Sequence, residues 1–386
     1  MSHPLRDKAA IVGVGFTEFS KNSGVSTLAL ALRAVSNALG DAGLTQQDVD
    51  GVACHRVGDS VQAVVVAQSL GIQDLHFHYD LWGGGSASAG VIGAAAMAVA
   101  TGQAETVVCW RAINARSEYR MGGTGRADPD TVEFQYQAPY GLSTPPQQFA
   151  MYSRAYMHAT DTTAEHLGHV AIRQREHALR SERAMMRRPL SMEEYLASRW
   201  IVEPLRLYDC CLETDAAVAL VVTTPERARD LKQHPVLVAG ASYGSGHTLY
   251  SNDKGDLVPT AAAAMSQRLY AAAGVGPGDI DVAELYDAFT PLVLMQLEDY
   301  GFCKRGEAKE LVASGGTRLG GSLPVNTHGG HLSEGYVHGL NHVAEAVAQL
   351  RGTCGERQVE GAEVALSTAQ PGYVSGSTSA VVLRRA

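Results

Sequence analysis

Two tyrosines and a group of histidines carry most of this chain's acid–base potential, and they stand among glycines. Residues 326–339 read N-T-H-G-G-H-L-S-E-G-Y-V-H-G, with His328, His331 and His338 around Tyr336 and glycines at 329, 330, 335 and 339. Glycines so placed mark a sharply turned loop whose backbone can come close to a ligand. The loop is expected to present Tyr336 to a substrate. A free phenol has a pKa of about 10, so neighbours must tune Tyr336 if it is a base; His328, His331 and His338 are the candidates. A second phenol, Tyr286, lies in E-L-Y-D-A-F at 284–289, an apolar strand-to-helix turn. Either ring could instead be packing.

Two further glycine-bearing turns stand out. One is W-G-G-G-S-A-S-A-G at 82–90, with Gly85 and Ser86; the other is T-A-Q-P-G-Y-V-S-G-S at 368–377, with Gly376. Ser86 is a weak candidate nucleophile, because no general base adjoins it in sequence. His247, in Y-G-S-G-H, follows a strand in the second half and could line a substrate channel.

The elements that must position these residues alternate between strand and helix. Residues 9–15 (A-A-I-V-G-V-G) read as a buried strand, and 27–40 as an Ala/Leu-rich helix. The G-V-G invites a dinucleotide-loop reading, but Glu18 stands at the third glycine position, where a carboxylate would repel a pyrophosphate. A turn at 42–52 then feeds a second strand, and its spacing from Gly43 to Asp48 returns from Gly274 to Asp279. The pair 90–102 and 106–110 is echoed by 341–352 and 363–366. Two copies of one β-α-β-α-β unit are expected, with an N-terminal half at 1–232 and a C-terminal half at 233–386. Such alternation implies parallel or mixed sheets with helices on their faces.

An insertion at about 112–206 has different chemistry. A Gly/Tyr/Pro-rich loop (120–146) precedes helical stretches crowded with Arg173, Arg175, Arg180, Arg183, Arg187 and Arg188. These read either as a solvated face with salt bridges or as a phosphate-binding patch, with Arg187 and Arg188 as substrate-binding candidates.

At 386 residues, 45% hydrophobic and 18% charged, the chain has the composition of a globular protein with a large core. Its net charge of −9 argues against a nucleic-acid partner. The polar opening residues and the glycine-cut run that follows give no secretory signal, and 91–99 is too short to span a bilayer. The six cysteines form no C-x-x-C pair, so neither a metal site nor a disulfide framework is expected. A cytoplasmic setting follows.

The loop at 326–339 resembles the thiolase-superfamily motif Asn-x-x-Gly-Gly-x-x-x-Gly-His-Pro-x-Gly, keeping Asn326, Gly329, Gly330, Gly335 and Gly339. Tyr336 replaces the motif's catalytic His, and Val337 its Pro. Residues 284–306 are similar to the segment of sterol-carrier-protein-type thiolases that carries His-Asp-Cys-Phe, with Tyr286 at the His position. Residues 210–220 (C-C-L-E-T-D-A-A-V-A-L) are similar to their Cys-Cys segment. The position of the acylated Cys falls on Gly85 or Ser86, and the second catalytic Cys falls within 368–377, also without a thiol.

The resemblance implies a five-layer α-β-α-β-α thiolase fold, and it implies homodimers. Without either thiol, neither an acyl-enzyme nor an activated CoA nucleophile can form. Retro-aldol cleavage of a 3-hydroxyacyl-CoA needs no thiol. It needs a base for the hydroxyl, an oxyanion hole for the enolate and an acid to quench the carbon. The sequence looks like the thiolase-like lipid-transfer proteins that act as steroid side-chain aldolases. By that resemblance Tyr336 is the base and Tyr286 the proton donor, with His331, His328, Gly376, Gly85 and Ser86 supporting. No cofactor beyond the substrate's own CoA is implied, and a small OB-fold, zinc-ribbon partner is. The alternatives are a thiolase-type acyltransferase subunit of a complex and a non-catalytic acyl-CoA-binding scaffold.

Overall fold

The computed structural model describes residues 3–120, 132–245, 257–372 and 376–386. Eleven strands are formed among them: β1 (Ala10–Phe16), β2 (Gly51–Arg56), β3 (Phe77–Trp82), β4 (Thr106–Asn114), β5 (Trp200–Val202), β6 (Leu205–Arg206), β7 (Asp215–Thr223), β8 (Val236–Ser245), β9 (Val282–Glu284), β10 (Val364–Thr368) and β11 (Ser377–Arg385). Nine of them run in the order β3-β2-β4-β7-β1-β8-β11-β10-β9, while β5 and β6 form a separate pair. β1 and β8 meet at only two residue pairs, Ala10 with Leu237 and Ile11 with Val236. That seam divides the strands into two groups.

Alternation along the strands shows how the layers stack. In β7, Ala216, Val218, Leu220 and Val222 enter one core, while Ala217, Ala219 and Val221 enter another on the opposite face. In β11, Val381 and Leu383 share the first of these cores, whereas Ala380 and Val382 face a third. A period of two with apolar residues on both faces is what a doubly covered sheet requires. The shared core holds the helices Ser88–Ala100 and Leu340–Arg351, which touch strands of both groups. Both are buried almost all round, as befits a sandwiched helix. Outside them, Thr27–Ala42 covers β1, β4 and β7, and Ala261–Ala273 covers β8 and β11. The result is helix, sheet, helix, sheet, helix.

Local chemistry explains the glycine patterns. A Cβ on Gly13 or Gly15 would fall 2.2 Å from the carbonyl of Ala38 or Ala34, so these glycines let the first helix close against β1. The echoed turns share one build. Gly43 and Gly274 end their helices with left-handed φ of 76° and 74°. Asp48 and Asp279 then accept from the backbone of Thr45 and Gly276 at 2.9 and 2.7 Å before β2 and β9 begin.

The segment between β4 and β7 packs its helices Pro145–Thr160 and Ala164–Ala178 against Thr290–Asp299. Among the described residues, no helix is long and apolar enough to cross a membrane.

Candidate active site

Tyr286 leaves the end of β9 at a backbone position that three side chains hold. Asn326 accepts from Leu285 N–H at 2.6 Å and donates to Leu285 O at 2.8 Å, pairing like an extra strand residue. Thr368 Oγ1 accepts from Tyr286 N–H at 2.9 Å, and Gln296 donates to Tyr286 O at 2.6 Å. Asn326 carries an unusual φ of 51°, which asparagine tolerates better than most residues. Tyr336 arrives from the glycine loop, its N–H donating to Thr214 Oγ1 at 3.1 Å. The two phenols meet: Tyr286 Oη and Tyr336 Oη are 2.8 Å apart and buried.

The glycine turn after β3 makes room for this pair. A Cβ on Gly85 would sit 2.0 Å from Tyr286 Oη, so the phenol fills the space that a side chain at 85 would occupy. Ser86 is buried; its hydroxyl accepts from Ser377 Oγ at 3.3 Å, and its carbonyl accepts from Ser379 Oγ at 2.7 Å. Gly376 is buried with φ of 69°. Gly339 lies on the other side, where a Cβ would be 3.3 Å from the Tyr286 ring.

The three histidine rings of the loop stand on different footings, two of them against the phenols. His331 stands edge-on to both Tyr286 and Tyr336 at 4.8 Å, and its backbone N–H donates to Asp287 Oδ1 at 2.8 Å. Burial and the neighbouring rings of His342, His328 and His338 push it well below the usual imidazole range, so it is neutral. His338 is edge-on to Tyr336 at 5.0 Å. Its Nδ1 accepts from Arg111 Nε at 2.9 Å, and Arg111 Nη2 reaches Asp59 at 2.5 Å, all deeply buried. His328 lies deeper, with Nδ1 at 3.0 Å from Glu284 and Nε2 at 3.4 Å from Glu334. Burial opposes its charge, but Glu334 and Glu284 prevail and lift its pKa to about 9. Glu334 and Glu345 are paired in turn with Arg183, and Glu345 with Arg357. Three buried carboxylates thus face three cations.

The phenols are not tuned toward phenolate. Burial pushes Tyr336 well above its usual range, and so does Tyr286; Arg111 pulls the other way. Tyr286 is raised by burial as well. Both stay protonated near neutral pH, and the neighbours expected to lower Tyr336 do not. Cys211, from the matched Cys-Cys segment, lies near both phenols, but burial and Cys210 push its thiol well up. It remains a thiol, a poor nucleophile.

His247 lies outside the described residues. Arg187 and Arg188 are exposed; Arg187 donates to the carbonyl of Glu182, and the carbonyl of Arg188 accepts from Arg175 at 3.1 Å. The other arginines of the patch are largely structural. Arg173 pairs with Glu176, Arg175 donates to Ser333 Oγ at 3.0 Å, and Arg183 serves the glutamates already named. Asp287, His331 and His342 bring one ligand atom each within 4.8 Å of one another, a grouping that sequence spacing does not suggest. Asp287 is already engaged, accepting from His342 Nε2 at 2.9 Å and from the backbone of His331 and Leu332. Sequence reasoning also missed Thr214, Asp59 and Arg111. Arg111 did leave a signal, as a lone cation inside the apolar strand T-V-V-C-W-R-A-I-N.

Comparison with known proteins agrees with this geometry. Residues 244–385 match the thiolase C-terminal domain-like family. The chain is 48% identical to the steroid side-chain-cleaving aldolase of Thermomonospora curvata, over 90% of this chain and 92% of that one. It is 46% identical to the 17-hydroxy-3-oxo-4-pregnene-20-carboxyl-CoA lyase of Mycobacterium tuberculosis, over 98% of this chain and all of that one. The solved Ltp2-ChsH2(DUF35) aldolase superposes with a TM-score of 0.93 at 46% identity, covering 99% of this chain and 98% of that one. These likenesses place this chain in the thiolase superfamily, in its branch of aldolases that cleave carbon–carbon bonds of CoA thioesters.

Proposed function

We propose that this chain cleaves the CoA thioester of a 3-hydroxylated steroid side chain by a retro-aldol reaction, giving a ketone and a short acyl-CoA such as propionyl-CoA. The observation that carries the reading is the 2.8 Å contact between Tyr286 Oη and Tyr336 Oη. The substrate class follows from the two curated relatives, named for steroid side-chain cleavage and for a pregnene carboxyl-CoA.

The contact also supplies a mechanism that two neutral phenols can perform. Tyr286 gives its own proton toward Cα and takes that of Tyr336 in its place, while Tyr336 takes the proton of the substrate hydroxyl, all in one concerted relay. The Cα–Cβ bond breaks, the β-carbon becomes the ketone, and the electron pair enters the thioester as an enolate. The proton of Tyr286 reaches Cα as this enolate character develops, so no phenol ever holds two protons. One proton moves from oxygen to carbon, and each phenol ends as it began. No phenolate has to persist, which suits a site where burial disfavours one.

A homodimer fits the exposed edge of the fold. β3 ends the sheet order and carries Tyr79 and Trp82, 38% and 70% exposed, and an aromatic strand edge is ordinarily covered by another chain. A second, small OB-fold and zinc-ribbon protein is part of the proposal; the solved relative carries ChsH2(DUF35) in its name beside Ltp2.

The test is to incubate the protein and that partner with a branched 3-hydroxyacyl-CoA and no free CoA. Ketone and short acyl-CoA should appear in equal amounts. A requirement for free CoA, or an acyl adduct on this chain by mass spectrometry, points to acyltransfer instead. Binding without turnover points to a scaffold.

A further inference from the structure

His338 is held in a way that packing alone does not explain. It is fully buried, and its backbone has the left-handed φ of 52°, which is uncommon outside glycine. Something must hold it there. Arg111 approaches its Nδ1 with two donors, Nε at 2.9 Å and Nη2 at 2.6 Å. A guanidinium can only donate, so Nδ1 must be the acceptor and the ring proton must sit on Nε2. Asp59, bound to Arg111 at 2.5 Å, anchors the guanidinium. The chain Asp59–Arg111–His338 therefore fixes one tautomer and one ring orientation.

The Nε2–H so produced has no acceptor among the described residues. It points at the glycine turn: a Cβ on Gly84 would lie 3.5 Å from both Cε1 and Nε2 of His338. The next residue, Gly85, is the one whose side-chain space Tyr286 Oη fills. Gly83 and Gly84 are partly exposed while Gly85 is buried, so the turn runs from the surface to the phenol pair. A thioester laid along it would bring its carbonyl oxygen to the imidazole and its α-carbon to Tyr286.

We infer that His338 Nε2–H is the donor that receives the thioester oxygen as the enolate forms. Arg111 polarises the ring without surrendering a proton, and its positive charge lies behind the developing oxyanion. The ring stays neutral because burial and Arg111 both disfavour imidazolium, so His338 donates a hydrogen bond rather than an acid proton. His55 belongs to the same support, its Nδ1 lying 3.3 and 3.1 Å from the carbonyls of Gly83 and Gly84. It is a positioning residue. This inference rests on the retro-aldol reading above.

Two substitutions separate donor from scaffold. His338→Asn suits the left-handed φ and offers Arg111 an oxygen near the place of Nδ1, but it has nothing at Nε2. His338→Gln places an amide N–H near Nε2. The readouts are cleavage kinetics and the exchange of the α-hydrogens of propionyl-CoA in D2O, followed by mass spectrometry with the complete enzyme. His338→Asn should lower kcat and α-exchange by about 10²–10³-fold with KM little changed; His338→Gln should recover at least about tenfold of that loss. If wild type cleaves and exchanges but His338→Asn does so within about threefold of it, the inference is overturned while the retro-aldol reading stands. Equal loss in both variants, or a loss confined to KM, overturns it as well. If wild type neither cleaves nor exchanges, the reading falls and the inference with it.

Discussion

Tyr286 Oη occupies the space that a side chain on Gly85 would need: a Cβ at that position would lie only 2.0 Å from the phenol oxygen. Glycine at 85 is therefore what makes room for tyrosine at 286. A thiolase frame with a cysteine at 85 would have no room for this phenol, and with the phenol in place it has no room for the cysteine.

Gly85→Ala should accordingly cost stability and activity together. Forcing a methyl into a filled core costs about 1–3 kcal/mol, and the phenol that must yield is the one in the relay. Thermal unfolding and kcat should both fall, and shortening Tyr286 to Ser in the same chain should restore the unfolding midpoint without restoring turnover. A Gly85→Ala enzyme of wild-type activity would show that Tyr286 is not held where the chemistry needs it.

In the proposed relay the phenols act in series, so their removal should not add. Tyr336→Phe and Tyr286→Phe should each lower kcat/KM by about 10²–10⁴-fold, and the double variant should be no worse than the poorer single one. Circular dichroism should show an unchanged fold. Multiplicative losses would mean that the two groups work independently.

Cys211 is the nearest test of whether any thiol matters. Its burial keeps it protonated, so Cys211→Ser should retain kcat within about threefold, as expected where no covalent intermediate forms. A hundredfold loss would reopen acyl transfer through this residue.

His328 predicts a pH dependence of stability. Its folded pKa of about 9 lies above the 6.5 of an unfolded histidine, so the folded state holds the proton more tightly. That stabilisation is complete below pH 6.5 and is lost as pH rises through about 9. The unfolding temperature should fall over this window. In His328→Asn it should start lower and fall less; identical slopes would show that another group titrates there.

The fold was legible because its elements obey simple periods. The strands at 9–15 and 106–110 were visible as apolar runs, and the helices at 27–40 and 341–352 ended at glycines close to those that the chain uses as left-handed caps. The tyrosine pair was legible through motif position: Tyr286 and Tyr336 stand 50 residues apart, and only the frame around Asn326 relates them. What escaped reading depends on contacts between distant segments. Asp59 and Arg111 join His338 across 227 positions for the farther hydrogen bond, and no local pattern announces such a cluster. The arginine patch misled for a related reason. Its spacing resembles a solvated helix face, whereas Arg183 turns inward to glutamates that the sequence places 151 and 162 residues away.

That inward turn ties the loop that carries Tyr336 to the segment between β4 and β7. Met185 and Met186 donate to the carbonyls of Glu334 and Ser333 at 3.0 Å, Arg183 neutralises Glu334, and the loop reaches Tyr336 two residues later. Stretch 183–186 thus latches the backbone just before Tyr336. On the proposed mechanism, Tyr336 is placed for its role only once 183–186 has docked onto this loop. For anyone refashioning this scaffold toward another side chain, the latch is the part to leave alone, however far from the substrate it looks in sequence.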